Sequence, residues 1–248
     1  MKATRSKIVK TFLALDHCMH SPAVAKAALA NAYNARIVAR GRIPTVSMES
    51  LVGTVPEVRL VDFVPEHGNV SPIELLCLCS LVRFLAPVEV LELGTFNGNT
   101  TLQIAANLGD AGRIATLDLP FGAAPVAGND LHDARLIHDA VREQPRYAKS
   151  IYAPRVLQHY GNSLEVDFSR LTPTPPDFVF IDAGHSDECV RNDTEKSLAV
   201  LAAGGCIVWH DYTQDWPDVF NYLNELAQDR PLRHIQGTNL VVFFDTRR

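Results

Sequence analysis

From Ser71 onward, short apolar runs bounded by turn or polar residues alternate with longer stretches of helical length and spacing. Val88 to Leu93, Arg113 to Asp118, Arg155 to Tyr160, Asp177 to Asp182 and Cys206 to Asp211 read as five strands. Between them, Asn99 to Leu108, Asp130 to Glu143 and Asp187 to Ala203 read as helices, the last stopping at Gly204-Gly205. This alternation predicts an α/β fold, a mostly parallel sheet with helices on both faces. The end of the chain differs. Leu232 to Gln236 and Leu240 to Phe244 are joined only by Gly237-Thr238-Asn239, a connection short enough to make an antiparallel hairpin. Trp216 to Ala227, with Pro217 in the first turn, is the helix that enters it.

Residues 1–70 are less regular. Pro22 to Arg40 is alanine-rich and helical in pattern, and Gly41 to Gly68 is punctuated by proline and glycine, so the segment reads as a helical N-terminal cap before a main domain at 71–248. Leu119 to Pro154 is too long for a simple crossover and reads as an insertion that serves as a lid or binding loop.

At 248 residues, 47% hydrophobic and 21% charged, the chain has ordinary globular composition and one main domain. A net charge of -5 disfavours nucleic-acid partners, and no segment has the length and apolarity of a membrane span. Cys18, Cys77, Cys79, Cys189 and Cys206 lack paired spacing and read as reduced core thiols of a cytoplasmic protein. The start, MKATRSKIVKTFLAL, has the positive charge of a signal peptide but only a short, interrupted apolar run and no obvious small-residue cleavage site. Assembly into a homo-oligomer is left open.

Candidate chemistry gathers at the ends of the strands. Gly94-Thr95-Phe96-Asn97-Gly98 joins a buried strand to a helix opening at Asn99 or Thr100, so backbone can approach a ligand and free amides at the helix start can meet an anion. Phe96 stands where a dinucleotide fingerprint needs its second glycine. Asp118 ends the next strand, 24 residues beyond Gly94, where an acid accepts from ribose hydroxyls or caps a loop. Gly161-Asn162-Ser163 follows the third strand, and Asn162 either reads a base or forms a turn. Asp182 and Asp211, 29 positions apart, end two further strands; on neighbouring strands they converge and can hold a divalent cation. His185 is a candidate general base, and His210 a second candidate base or ligand. The plainer alternatives are a helix cap for His185, a satisfied core residue for His210, and a cofactor contact alone for Asp182.

The segments GNVSPIELLCLCSLVRFL, LELGTFNGNTT, TLDLP, FIDAGHS and GGCIVWHDY, spread between about Val46 and Phe244, together resemble class I S-adenosylmethionine-dependent methyltransferases. The likeness is to the small-molecule O-methyltransferase branch that includes cephamycin-type, macrolide-sugar and catechol-like enzymes. It implies a Rossmann-like, doubly wound seven-stranded sheet with a reversed last strand. It also implies S-adenosylmethionine as cofactor and a hydroxyl of a small molecule as acceptor. By resemblance, Val70 and Thr100 flank the methionine carboxylate, Glu92 and Gly94 line the methionine end, Asp118 holds the ribose, and Asn162 and Ser163 lie near adenine. Asp182 and Asp211 match the metal-binding acids of members that use Mg²⁺ or another divalent cation. The sequence departs from the catechol-like pattern at His210-Asp211-Tyr212, where those enzymes carry an Asp-Asn pair. That leaves a third ligand unassigned, and histidine favours a transition metal over Mg²⁺. Two other classes share the strand-glycine-helix logic: nicotinamide-dependent oxidoreductases and non-catalytic cofactor-binding proteins.

Overall fold

The computed structural model describes residues 43–66, 68–120 and 144–246. The helices expected at 22–40 and 130–143, Cys18, and most of the insertion lie outside the described residues. Eight strands form one sheet: β1 (Thr45–Val46), β2 (Glu89–Leu93), β3 (Arg113–Asp118), β4 (Val156–Tyr160), β5 (Phe178–Ile181), β6 (Cys206–Trp209), β7 (Arg233–Ile235) and β8 (Val241–Phe244). Their order is β1-β7-β8-β6-β5-β2-β3-β4, and β8 runs antiparallel to both β6 and β7. The reversed last strand is therefore present. Seven strands were expected, and the eighth is β1, drawn from the segment read as cap. Two residues are too short to show alternation in a sequence; the strand is held by backbone bonds from His234 N to Pro44 O and from Gln236 N to Val46 O, both 2.9 Å.

Among the described residues, five α-helices accompany the sheet: α1 (Met48–Val52), α2 (Pro72–Leu85), α3 (Asn99–Asn107), α4 (Asp187–Val200) and α5 (Pro217–Leu226). Every residue of β2, β5 and β6 is buried, as continuous apolar runs require in a sheet covered on both faces. Val90, Phe178, Phe180, Cys206 and Val208 pack with Leu75, Leu78 and Leu81 of α2 and Ile104 of α3. Each such side chain contributes roughly 1.5–3 kcal/mol on leaving water. The alternate residues serve the other face, where the buried Trp209 donates its indole N–H to Thr194 Oγ1 of α4 at 2.8 Å.

Local chemistry sets the helix ends. Pro72 opens α2, and Glu74 reaches back to accept from Ser71 N at 3.1 Å. Ser186 caps α4 by accepting from Cys189 N at 3.3 Å. α4 stops at Val200, short of the expected Ala203, and the left-handed Gly204 (φ +78°) lies in the turn beyond it. Cys77, Cys79, Cys189 and Cys206 are buried, and burial pushes the thiols of Cys77 and Cys79 up to about 11 and about 12. Among the described residues, no helix is long and apolar enough to cross a membrane.

Candidate active site

The chain steps from β2 outward to β3 and β4, then returns to place β5 on the other side of β2. Reversal of strand order at β2 opens a crevice beyond the carboxyl ends of β2 and β5, where ligands bind in open α/β sheets. Gly94 lines it with φ +93°, and its amide donates to Leu117 O at 2.9 Å. A Cβ at Gly94 would lie 1.8 Å from the carbonyl oxygen of Asp182, so only glycine lets the two strand ends approach this closely. Phe96 also has positive φ (+48°), uncommon for a side chain of that size. Asp118 holds it there: Oδ2 accepts from Phe96 N at 2.6 Å while Oδ1 accepts from Leu119 N at 2.7 Å. Each oxygen keeps a further lone pair for a ligand hydroxyl.

Beneath the turn, Tyr147 donates to Gln158 Oε1 at 2.7 Å, Gln158 Nε2 donates to Thr95 Oγ1 at 3.1 Å, and Thr95 and Thr116 share a 2.6 Å hydroxyl contact. A Cβ on Gly98 would press on the Tyr147 ring at 2.9 Å. Asn97 Oδ1 accepts from Asn99 N at 3.0 Å, which makes Asn97 a cap for the start of α3. Val70 and Thr100 are buried. Glu92 is wholly buried; burial raises its carboxyl to about 8, outweighing the hydroxyl that Thr101 donates at 2.5 Å. Asn162 spends its carboxamide oxygen on its own turn, accepting from Leu164 N at 3.0 Å. The carbonyl of Ser163 instead accepts from Asn192 and, at 2.6 Å, from the Lys196 ammonium, which also bonds Leu164 O and Val166 O.

Asp182, His185, His210 and Asp211 meet at the same crevice. His185 Nε2 lies 2.8 Å from Asp211 Oδ2, and the ring stacks on Trp216 at 3.8 Å between centroids, tilted by 13°. His210 Nδ1 is 3.0 Å from Asp182 Oδ1 and 3.2 Å from Asp211 Oδ2. Its Nε2 lies 3.3 Å from Glu74 Oε2, near enough for charge attraction but too poorly aligned for a full hydrogen bond. Burial alone would depress the His210 imidazole, yet the charges of Asp182 and Asp211 hold it well above its ordinary value. Burial likewise works against ionised Glu74, but His210, Ser71 and the Asn239 amide hold that carboxyl down at about 2. For Asp211, burial is overcome by the charge of His210 and the hydrogen bond of His185, and the carboxyl stays well below its usual range.

All four ionisable residues expected from the sequence are thus together. Glu74, Trp216 and Lys196 were not anticipated. Ser71-Pro72-Ile73-Glu74 has the spacing of a helix cap, a role Glu74 also fills, which conceals its reach to His210. Trp216 reads as the residue before a helix-opening proline. Nothing local marks Lys196, because its partners are backbone carbonyls about thirty residues earlier.

Residues 91–212 match the family model of a methyltransferase domain. Among solved structures, the chain is similar to the O-methyltransferase TomG from Streptomyces achromogenes, involved in tomaymycin synthesis and solved with SAM. The identity is 19% and the TM-score 0.53, over 71% of this chain and 82% of that one. It is also similar to an O-methyltransferase from Bacillus cereus solved with SAH, at 19% identity and a TM-score of 0.50, over 85% of this chain and 96% of that one. At that identity, the likeness establishes the fold.

Proposed function

We propose, for a chain whose residues 91–212 match the family model of a methyltransferase domain, that it transfers a methyl group from S-adenosylmethionine to a hydroxyl of a small molecule. One observation carries the reading: the glycine turn that suits the cofactor and the Asp-His cluster that suits the acceptor touch at Gly94 and Asp182. The methionine end of the cofactor falls beside Val70, Glu92, Gly94 and Thr100, its ribose on Asp118, and its adenine against the loop of Asn162 and Ser163. Solved structures of the same fold were obtained with SAM or SAH, which supports the choice of cofactor.

His185 takes the acceptor's proton in this reading. The Asp211 carboxylate orients the imidazole, stabilises the imidazolium that forms, and shares with Trp216 the task of fixing the ring. The hydroxyl oxygen attacks the sulfonium methyl in line; a C–O bond forms as the C–S bond breaks, and S-adenosylhomocysteine leaves. His210 keeps its proton at neutral pH and acts as a fixed cation between Asp182, Asp211 and Glu74. Buried thiols fit the reducing cytoplasm, where we place the enzyme.

A second reading has its own observation. One donor atom each from Asp182, His185 and Asp211 lie within 4.8 Å of one another, so these residues fit a divalent cation, and the imidazole among them favours a transition metal. Such an ion would lower the pKa of the acceptor hydroxyl. His185 would then be a ligand and not the base.

Transfer of labelled methyl from S-adenosylmethionine to a panel of small phenols, sugars and amines tests both readings. The first expects label on oxygen, survival of activity after chelation, and a loss of about 10²–10⁴ in kcat for His185→Gln. Label found only on nitrogen would contradict the acceptor class. Activity lost on chelation and restored by Mn²⁺ or Mg²⁺ would favour the metal.

A further inference from the structure

One stripe of α3 carries three amide side chains at helical spacing, Asn99, Gln103 and Asn107, none more than 2% exposed. Two of them imitate the edge of a β-strand. Asn107 Oδ1 accepts from Arg59 N at 2.8 Å and Nδ2 donates to Arg59 O at 2.7 Å. Gln103 Oε1 accepts from Val61 N and Nε2 donates to Val61 O, both at 2.8 Å. The repeat works because four helical residues rise about 6.0 Å and two extended residues span about 6.6 Å. Running against the helix, the same register pairs Phe63 with Asn99.

That third rung is unmade in the structure. Asn99 Oδ1 and Nδ2 are buried with no partner, and Phe63 makes no main-chain hydrogen bond among the described residues. The interruption lies at Asp62, whose φ of +44° is a conformation that residues other than glycine rarely adopt. The Asp62 carbonyl is taken by the Arg146 guanidinium, and Val64 O accepts from Asn69 Nδ2 at 3.1 Å.

We propose that Asn99 is a positioning residue for the cofactor, acting through a strap formed by residues 59–63. When S-adenosylmethionine or its product sits at the methionine end, Asp62 relaxes to an extended conformation and the Phe63 main chain docks on the Asn99 carboxamide. The strap continues to Val70, and Asn99 adjoins Thr100, so both sides of the rung lead to residues assigned to the methionine end. This inference rests on the cofactor reading above. A ligand that binds the closed strap better shifts the population toward it.

Amide hydrogen exchange with and without saturating S-adenosylhomocysteine, alongside calorimetry, tests the strap. In the wild type, exchange at Phe63 slows at least about tenfold on adding ligand, while Arg59 and Val61 are protected throughout. Asn99→Leu, similar in size but unable to bond, loses the slowing at Phe63 and binds the ligand about tenfold more weakly. Its ligand-free Tm is unchanged or higher, because a buried unpartnered amide has been removed; a purely structural role would lower it. Asp62→Gly folds with the kink unstrained and shows a smaller ligand-induced slowing at Phe63. Calorimetric binding with unaltered Phe63 exchange in the wild type overturns the strap alone. No binding heat overturns the cofactor reading and the strap with it.

Discussion

At Gly94, a missing side chain does more than any side chain nearby. A Cβ there meets the Asp182 carbonyl at 1.8 Å, and the residue holds φ +93°. Gly94→Ala must therefore push β2 and β5 apart, with a stability loss of about 3 kcal/mol or more and no measurable S-adenosylhomocysteine binding. Denaturant unfolding and calorimetry on the variant check both. Glu92 poses the opposite problem, a carboxyl inside the core. Its folded value is about 8 against 4.5 when exposed, so the folded state holds the proton more tightly. Its stabilising contribution is complete below about pH 4.5 and fades as pH rises through about 8, by up to about 1.4 kcal/mol per unit. Glu92→Gln removes that slope. Across pH 5–9 the variant gains Tm relative to the wild type as pH rises; a constant difference would show that Glu92 is ionised when folded.

Among the elements, α4 has two tasks: its Thr194 buttresses the sheet at Trp209, and its Lys196 gathers three carbonyls of the loop at 163–166. Lys196→Met leaves those carbonyls without their donor. We expect a stability loss of about 1–3 kcal/mol and a KM for S-adenosylmethionine raised several-fold with kcat nearly unchanged. An equal fall in kcat would mean that the loop acts in the chemical step. This division also shows how far the sequence could be read. Strands β2, β3, β5 and β6 are legible because burial on both faces demands unbroken apolar runs, and the β7–β8 hairpin because its connection is too short for anything else. Contacts made by backbone are not legible. β1 exists through main-chain bonds to β7, Lys196 through carbonyls far away in sequence, and Glu74 is hidden behind its own cap. Asn162 could be read either as turn or as base reader, and its side chain serves the turn.

Over the whole molecule, the order of strands makes the site. Because β5 returns beside β2, three elements far apart in sequence, the turn at 94–98, the end of β5 and the end of β6, meet at one edge of the sheet. The segment at 145–152 packs against the turn, with Arg146 N donating to Asn97 O at 2.9 Å and Tyr147 set against Gly98. Phe96, held at positive φ by Asp118, stands where a dinucleotide fingerprint carries its second glycine, which argues against a dinucleotide in this crevice. Calorimetric titration of the intact protein with S-adenosylhomocysteine, and in parallel with NAD, tests this most directly. Saturable binding of S-adenosylhomocysteine is expected at about micromolar Kd, weakened at least about tenfold by Asp118→Ala, with no heat from NAD. Silence toward S-adenosylhomocysteine at millimolar concentration, or saturable binding of NAD in its place, would contradict it.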